Sequence, residues 1–297
     1  MIAGAQKCIS VAFTGLPNAG KSSLMNRLVG EKISIVTPKA QTTRDVIRGV
    51  VVEGNTQLIV IDTPGIFVPD GARPRERRIG RNAWGGVQDT AVVCIIIDSD
   101  SGITKNVKVL IDDLAKKQKK IIFVLNKVDI VKKEKLLLLS KELSELYPNF
   151  IKIFMVSATK GDNIDRLKEY LLSIAEVSPW VFNDDEITDA PSKFIASEIT
   201  REKLFLKLKE NLPYSVDVHT EQWEEFKNGS VKIRQVIRAL KNSQKAIILG
   251  KRGFGLKEIS MESRAEMEKF FGKKIHLFIF VQVKEDWISE KFSQEIC

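Results

Sequence analysis

Short runs of apolar residues alternate with helical patterns through the first half of the chain. Five runs rich in Val and Ile lie at 9–13, 58–61, 91–97, 121–125 and 151–156. Such continuous runs are typical of strands buried on both faces of a parallel sheet. Helical spacing predicts helices in the gaps, at 107–116, 132–146 and 164–175. This order predicts an α/β fold with a mostly parallel sheet.

The pattern changes after residue 177. The stretch 178–192 is acidic and contains Pro179 and Pro191, which predicts a linker between a first domain at 1–177 and a second at 193–297. The second domain is predicted to contain a helix at 198–210, strands at 215–222 and 231–240, a helical stretch ending at residue 271, and a strand at 277–283. This order predicts a smaller α+β domain.

Four of the apolar runs in the first domain end directly before a polar residue: Asp62, Asp98, Asn126 and Ser157. In an open α/β sheet, ligands bind at the carboxyl ends of the strands. These positions therefore predict a ligand site along one edge of the sheet.

The stretch from Gly15 to Ser23 lies between the first strand and a helical pattern, and it matches G-x-x-x-x-G-K-[ST]. In this context the motif predicts a loop whose N–H groups bind phosphate, and a chance glycine turn is disfavoured. Lys21 is expected to reach the β- and γ-phosphates, and the Ser22 hydroxyl to bind Mg²⁺. The nucleotide-binding residues predicted here are Gly15, Asn18, Ala19, Gly20, Lys21, Ser22 and Ser23.

Asp62-Thr63-Pro64-Gly65 matches D-x-x-G, although alone it would be a good turn sequence. Asp62 is expected to hold Mg²⁺, through water, and the Gly65 N–H to meet a γ-phosphate oxygen. The polar stretch 41–45 can supply a further hydroxyl to the ion.

Asn126-Lys127-Val128-Asp129 matches N-K-x-D. The Asp129 carboxylate can accept both guanine N1–H and the 2-amino group, a donor pair that adenine lacks. Asn126 is expected to orient the loop and meet the other edge of the base, and the stem of Lys127 to cover a ring face. Ser157, Ala158 and Thr159 are expected near guanine O6.

The composition shows an excess of basic over acidic residues. The 297 residues are 43% hydrophobic and 29% charged, with net charge +9, which suits two globular domains and a polyanionic partner, either nucleic acid or an anionic membrane surface. Cys8, Cys94 and Cys297 have no disulfide or metal spacing, which suits a reducing cytoplasm. No apolar run is long enough to span a bilayer, and no signal peptide is expected.

The phosphate-loop spelling together with Thr42-Thr43-Arg44-Asp45 resembles the TrmE/Era branch of the Ras-like GTPases. The resemblance implies that Thr43 is the Mg²⁺ ligand in the 41–45 stretch. It also implies that Asn18 associates with K⁺, capped by the 37–42 segment. Ile66 occupies the position of the glutamine that orients water in Ras, so slow hydrolysis assisted by the cation is expected. The catalytic residues predicted are Lys21, Thr43 and Asn18.

The second domain contains Gly250-Lys251-Arg252-Gly253 followed by Leu256-Lys257 and Ile259, which fits the G-x-x-G signature of a KH domain. Such loops clamp single-stranded nucleic acid. Residues 231–284 carry 13 Lys and Arg against 4 Asp and Glu, which locates the basic excess here. The RNA-binding residues predicted are Gly250, Lys251, Arg252, Gly253 and Lys257. Phe254 could stack a base or belong to the core, and the basic stretch 73–81 could touch RNA or be a solvated face.

A type II KH domain joined to this GTPase domain resembles the Era family of bacterial ribosome-assembly GTPases over almost the whole chain. The resemblance implies binding of GTP and GDP, Mg²⁺ and the 3′ end of 16S ribosomal RNA, in assembly of the 30S subunit. A cytoplasmic monomer with peripheral contact at the inner membrane is expected. Two alternatives remain open: an RNA-binding scaffold gated by nucleotide with negligible turnover, and a membrane-associated signalling GTPase.

Overall fold

The computed structural model describes residues 5–37, 39, 43, 45–65, 85–88, 90, 92–208 and 212–284. The chain forms two compact units, Met1–Asp189 and Ala190–Cys297. Among the described residues, no helix is both long and apolar enough to cross a lipid bilayer.

The first unit is built on a seven-stranded sheet. Its strands are β1 (Lys7–Thr14), β2 (Ile47–Glu53), β3 (Thr56–Asp62), β4 (Val92–Asp98), β5 (Lys120–Asn126), β6 (Lys152–Met155) and β7 (Glu176–Val177). The order is β2-β3-β1-β4-β5-β6, with β7 paired antiparallel to the start of β1. The pairs from β3 to β6 are all parallel, as predicted, whereas β2 is antiparallel to β3. Strand β2, which lies at the edge of the sheet, was not predicted from the sequence.

Helices of the first unit follow the predicted pattern. They are α1 (Lys21–Val29), α2 (Lys105–Lys116), α3 (Lys133–Leu146) and α4 (Ile164–Ser173). Apolar side chains of α2 and α3 pack on β4 and β5 in one continuous cluster. Cys94 in β4 is fully buried in the core, and burial raises the pKa of its thiol. Because β4 is buried on both faces, its unbroken apolar run is explained by its central place in the sheet.

The second unit is a three-stranded sheet covered by helices. Its elements are α5 (Ser192–Lys207), β8 (Val216–Glu225), β9 (Val231–Ala239), α6 (Asn242–Leu249), α7 (Phe254–Phe271) and β10 (Ile275–Val283). The order is β10-β9-β8, with β9 parallel to β10 and antiparallel to β8. The strand predicted at 231–240 is present as β9, and Val231, Ile233, Ile237 and Ala239 on one of its faces are fully buried.

Helix α5 begins six residues earlier than predicted, at Ser192 rather than Glu198. Pro191 directly precedes it, and a proline at this point has a φ suited to the start of a helix. Ile195, Ala196 and Ile199 then continue the buried face backwards along the helix. The prediction was wrong here because the proline was interpreted as part of the linker.

Most of the predicted linker lies along the first unit. We call residues 178–189 the strap. Gln57, fully buried in β3, accepts a hydrogen bond from Val181 N at 2.9 Å and donates one to Phe182 O at 2.8 Å. Trp180 Nε1 donates to a backbone oxygen of β1 at 3.1 Å.

The end of the strap pairs with the edge strand β2. Val50 N donates to Ile187 O at 2.9 Å, and Arg48 forms a 2.7 Å ion pair with Asp189. The stretch between this attachment and α5 is therefore reduced to Ala190 and Pro191.

Candidate functional site

A cleft of about 400 Å³ opens at the carboxyl ends of the strands in the first unit. The predicted residues that line it are Asn18, Gly20, Lys21, Ser22, Ser23, Thr43, Gly65 and Lys127. The sheet edge chosen from sequence therefore carries a cavity, and residues from four separate motifs meet in it.

The loop from residue 15 to 20 turns the chain from β1 into α1. Gly15 and Gly20 have φ values of 147° and 92°, and Asn18 has a left-handed φ of 64°. A Cβ on Gly15 would lie 2.3 Å from Ile96 O, and one on Gly20 would lie 2.2 Å from Asn126 Nδ2. Both glycines are therefore required by close approach as well as by backbone angle. The loop ends at the N-terminus of α1, where N–H groups favour an anion.

Lys21 is buried at the start of α1. Its Nζ donates to Gly15 O at 3.2 Å and to Leu16 O at 2.9 Å. Burial lowers the pKa of Lys21 to about 8, against the opposing effect of the Asp62 charge. An anionic ligand in the cleft would favour the charged amine.

Three hydroxyl groups surround the fully buried Asp62. Ser22 Oγ donates to Asp62 Oδ2 at 2.6 Å and lies 2.8 Å from Thr43 Oγ1, and Ser34 Oγ donates to the same carboxylate oxygen at 3.0 Å. Burial raises the pKa of Asp62, although the hydrogen bond from Ser22 and the charge of Lys21 oppose the shift.

The other carboxylate oxygen, Asp62 Oδ1, is buried and has no hydrogen-bond partner among the described residues. A carboxylate and hydroxyl oxygens are suitable ligands for Mg²⁺. Within the described part of the chain, there is no cluster of three or more His, Cys, Asp or Glu residues that could hold a metal ion. A cation would thus rely on Asp62, Ser22 and Thr43 together with oxygens of its ligand.

The D-x-x-G stretch lies against the phosphate loop. A Cβ on Gly65 would lie 2.8 Å from Pro17 N, so glycine permits the approach. Ile66 and the basic stretch 73–81 lie outside the described residues, as do Gln41 and Thr42. The roles predicted for them stay predictions.

The Asn126 amide joins two loops of the site. Its Nδ2 donates to Ala19 O at 2.9 Å, and its Oδ1 accepts from Ala158 N at 3.0 Å. Asn126 is 1% exposed, so this side chain is committed to orienting loops, the first of its two predicted roles.

The predicted base-binding residues lie beside this junction. Asp129 Oδ1 accepts a 2.6 Å hydrogen bond from Ser157 Oγ, and the Ser157 hydroxyl also accepts from Lys160 N. Thr159 is exposed at the same edge. Ser157 therefore fixes one oxygen of the Asp129 carboxylate.

Lys127 has a left-handed backbone, with φ 64°, and its Nζ lies 2.6 Å from Asp98 Oδ2. Burial, the largest single influence, would raise the pKa of Asp98, but the hydrogen bond and charge of Lys127 together with backbone N–H donors outweigh it, and the pKa is lowered. From the sequence, Asp98 is expected at a strand end but has no predicted role. The structure pairs it with Asn126 on the neighbouring strand, a register that no local sequence pattern indicates.

In the second unit, the G-x-x-G loop forms a turn between α6 and α7. Gly250, Arg252 and Gly253 have φ values of 69°, 53° and 79°. A Cβ on Gly250 would lie 2.9 Å from Gly255 N. The tight turn exposes the Lys251 and Arg252 side chains at its tip.

Apolar side chains are exposed next to this loop. Phe254 is 61% exposed and Ile247 is 58% exposed, which excludes the core alternative for Phe254. Lys257 is also exposed. The described residues include no ion pair between Lys251, Arg252 or Lys257 and a carboxylate. The loop thus presents cations and apolar surface together.

Comparisons with known proteins agree with both units. Residues 10–127 match the family described as 50S ribosome-binding GTPase, and residues 211–288 match the KH domain family. GTPase Era of Rickettsia canadensis is 48% identical over 95% of this chain and 94% of its own length. GTPase Era of Bradyrhizobium diazoefficiens is 44% identical over 95% of this chain and 91% of its own.

The chain belongs to the Era family of GTPases.

Two solved Era structures are similar to the chain at 33% identity, each over 95% of both chains. One is a variant of Aquifex aeolicus Era bound to GDP.AlF4-, with a TM-score of 0.90. The other is Era in complex with MgGDPNP and nucleotides 1506–1542 of 16S ribosomal RNA, with a TM-score of 0.89. The predicted fold, a P-loop GTPase domain followed by a KH domain, is confirmed. The roles of individual site residues stay predictions.

The pKa of Lys21 leads to a prediction about nucleotide binding in this Era family member. Because the pKa in the folded protein lies near 8, below the ordinary 10.5, the neutral amine is favoured above about pH 8. Phosphate favours the charged amine, so GDP binding between about pH 8 and 10 should take up a proton, and affinity should fall by up to about tenfold per pH unit. Calorimetry in buffers of different ionisation enthalpy measures the uptake.

The control for this prediction is an exposed lysine. Lys116→Met should keep the proton uptake on GDP binding. Lys21→Met should abolish the uptake, measured on the GDP binding that this variant retains. Equal uptake by Lys21→Met and the unaltered protein would assign the proton to another group.

Proposed function

We propose that this Era family protein binds guanine nucleotides, hydrolyses GTP with Mg²⁺, and binds the 3′ end of 16S ribosomal RNA during assembly of the 30S subunit. One observation carries the nucleotide part: Asn126 joins Ala19 of the phosphate loop to Ala158 beside the base-binding residues. This junction holds the two ends of a nucleotide site at a fixed spacing. The protein is expected to act as a cytoplasmic monomer, with peripheral contact at the inner membrane.

Specificity for guanine follows from the Asp129 carboxylate. Ser157 holds one of its oxygens, and the remaining acceptor positions suit the two donors of guanine. Adenine would leave the carboxylate without those partners, and an unpaired polar group in a closed site is costly.

Hydrolysis is assigned to the phosphate end of the cleft. Lys21 binds the β- and γ-phosphate oxygens, and the Gly65 N–H donates to the γ-phosphate. Ser22 and Thr43, with Asp62 through water, would hold Mg²⁺, which would neutralise charge on the phosphates. The shared hydrogen bonds of Ser22 with Thr43 and Asp62 support this grouping.

A monovalent cation, K⁺, is proposed to assist hydrolysis. Ile66 has no hydrogen-bonding side-chain atom, so it cannot orient an attacking water as glutamine does in Ras. Asn18 is exposed at the cleft and carries an amide oxygen that can bind such an ion. The alternative is an RNA-binding scaffold with negligible GTP turnover, and measuring turnover in K⁺ and in Na⁺ decides between the two.

RNA binding is assigned to the G-x-x-G loop. Its glycine turns permit close approach of a sugar-phosphate backbone, and Lys251 and Arg252 supply exposed positive charge. Phe254 and Ile247 add exposed apolar surface on which bases can stack or pack. The similar Era structure that contains nucleotides 1506–1542 of 16S ribosomal RNA supports the same class of ligand.

Nucleotide state is proposed to influence RNA affinity through β2 and the strap. The segment that contains Thr43 leads directly into β2, and β2 is hydrogen-bonded to the strap at Ile187. Only Ala190 and Pro191 separate the strap from α5 of the RNA-binding unit. A change around Thr43 can therefore reach the strap through hydrogen-bonded backbone, and the strap ends two residues before α5.

Replacement of Asp129 tests the base assignment. Asp129→Asn should weaken GDP binding by at least ~100-fold and improve binding of xanthosine diphosphate, because the amide can donate to the 2-oxo group. Calorimetry with GDP, xanthosine diphosphate and ADP measures the three affinities. Asp165→Asn, an exposed carboxylate in α4, is the control and should keep the preference for GDP. Equal affinity of the unaltered protein for GDP and ADP would contradict the assignment.

Potassium dependence tests the catalytic assignment of Asn18. GTP turnover should be slow and faster in K⁺ than in Na⁺, and Asn18→Ala should remove most of the difference while GDP affinity stays within about threefold. Asn18→Gly is the better variant, because glycine fits the observed φ of 64° without strain. Turnover that is indifferent to K⁺ would refute the cation role, and negligible turnover in both salts would favour the scaffold.

RNA affinity should depend on both loop charge and nucleotide. The probe is a short single-stranded oligonucleotide from the 3′ end of 16S ribosomal RNA, measured with GDP and with a non-hydrolysable GTP analogue. The GTP analogue should tighten binding by ~5 to 150-fold, and affinity should fall steeply with salt. Lys251→Asp with Arg252→Asp should lower affinity by at least ~100-fold without changing basal turnover.

The matched control makes the same charge change in the same unit. Lys269→Asp with Lys274→Asp alters two exposed residues, one near the C-terminal end of α7, about 25 Å along the helix from the loop, and one in the turn that follows the helix. It should retain affinity within about threefold. An equal loss in both double variants would mean that net charge alone drives binding, and equal RNA affinity with GDP and the GTP analogue would refute coupling.

A further inference from the structure

Hydrogen bonds link four residues around the Asp62 carboxylate, and two of them belong to no recognised motif. Ser22 and Asp62 come from the phosphate loop and D-x-x-G motifs, whereas Asn26 and Ser34 do not. We call these four residues the Asp62 ring. Among them, Ser34 is 1% exposed and Asp62 is fully buried.

Ser34 contacts the carboxylate directly. Its Oγ donates to Asp62 Oδ2 at 3.0 Å, the same oxygen that accepts from Ser22 at 2.6 Å. Two hydroxyl donors on one oxygen restrict rotation of the carboxyl group. Asp62 Oδ1 has no hydrogen-bond partner among the described residues, so it remains available to a cation.

Asn26 holds the backbone of Ser34 in place. Its Oδ1 accepts from Ile33 N at 3.1 Å and Ser34 N at 2.9 Å, and its Nδ2 donates to Ser34 O at 2.6 Å. Three hydrogen bonds from one amide hold the backbone at Ser34 in a single conformation. Asn26 lies four residues after Ser22 in α1, so both belong to the same side of the helix.

We propose that Asn26 and Ser34 are positioning residues for the divalent cation of the GTP site. They fix Asp62 Oδ2 and so set the orientation of the carboxylate, whose Oδ1 has no hydrogen-bond partner among the described residues, and this role rests on the nucleotide function proposed above. Hydrogen bonds to an ionised oxygen are stronger than neutral ones, so the Ser34 contact is strong enough to hold the carboxylate in one orientation.

The same contacts serve the segment that carries Thr43. Ile35, Val36 and Thr37 directly follow Ser34 and line the cleft. Because Asn26 in α1 anchors the backbone at Ile33 and Ser34, it also fixes the start of this segment relative to α1. The Asp62 ring therefore ties the carboxylate and the start of the Thr43 segment to one helix.

The measurement must separate cation binding from folding. Fluorescent GDP is titrated in EDTA and then at increasing Mg²⁺, and Mn²⁺ binding to the GDP complex is followed by electron paramagnetic resonance. Ser34→Ala should weaken Mg²⁺ and Mn²⁺ affinity by about tenfold while GDP affinity in EDTA stays within about twofold. Ser34→Thr restores the hydroxyl and should recover affinity.

The matched control is Ser197→Ala in the second unit. Ser197 is also a buried serine, with its hydroxyl 2.7 Å from Thr220 Oγ1, so its loss removes a comparable buried hydrogen bond. Ser197→Ala should leave Mg²⁺ affinity unchanged. Metal affinity of Ser34→Ala equal to that of Ser197→Ala would overturn the proposal.

Asn26→Ala provides the second variant. It should also weaken cation affinity, and the double variant with Ser34→Ala should be less than additive because Asn26 acts through Ser34. If Ser34→Ala fails to fold, Asn26→Ala decides alone: unchanged metal affinity would refute the positioning role. If Mg²⁺ does not change the GDP affinity of the unaltered protein, the proposed function is contradicted instead. The two failures are therefore distinguishable.

Discussion

A carboxylate without solvent contact at the end of β3 is the constraint on which the phosphate end of the site depends. Burying an ionised group costs several kcal/mol unless opposite charge and hydrogen bonds offset it. Lys21 supplies the charge, and the hydroxyls of Ser22 and Ser34 supply the bonds. The opposite shifts in the pKa values of Lys21 and Asp62 have the same cause, since burial disfavours both charged forms. Each part of this cluster therefore becomes more favourable when phosphate and a cation are bound.

Much of the fold and of the nucleotide site could be predicted because both rest on local sequence patterns. The apolar runs locate the parallel strands, and the carboxyl ends of such strands meet at one edge of a sheet. The motifs at Lys21, Asp62 and Asn126 therefore had to lie close together. The KH unit was predictable for a related reason, because its G-x-x-G signature is a local pattern within residues 250–259.

The features that were missed depend on contacts between distant parts of the chain. Ser34 contacts Asp62, which is 28 positions along the chain, and Asp98 contacts Lys127, which is 29 positions along the chain. Neither residue spacing nor composition indicates these contacts. The strap is held by Gln57, a residue that looks like an ordinary polar position in β3. Exposure of Phe254 was undecidable from sequence, because an aromatic residue at the start of a helix suits both a core and a surface.

The backbone of Arg252 has a consequence for how the RNA loop balances stability against charge. A residue with a side chain at φ 53° is less stable there than glycine by about 1 kcal/mol, yet the loop places arginine at this position. The left-handed turn projects the guanidinium outward from the tip. Selection for a more stable loop conformation would favour glycine at residue 252, whereas selection for RNA affinity would keep arginine. In this loop, thermal stability and ligand affinity are therefore opposing traits set by one backbone angle.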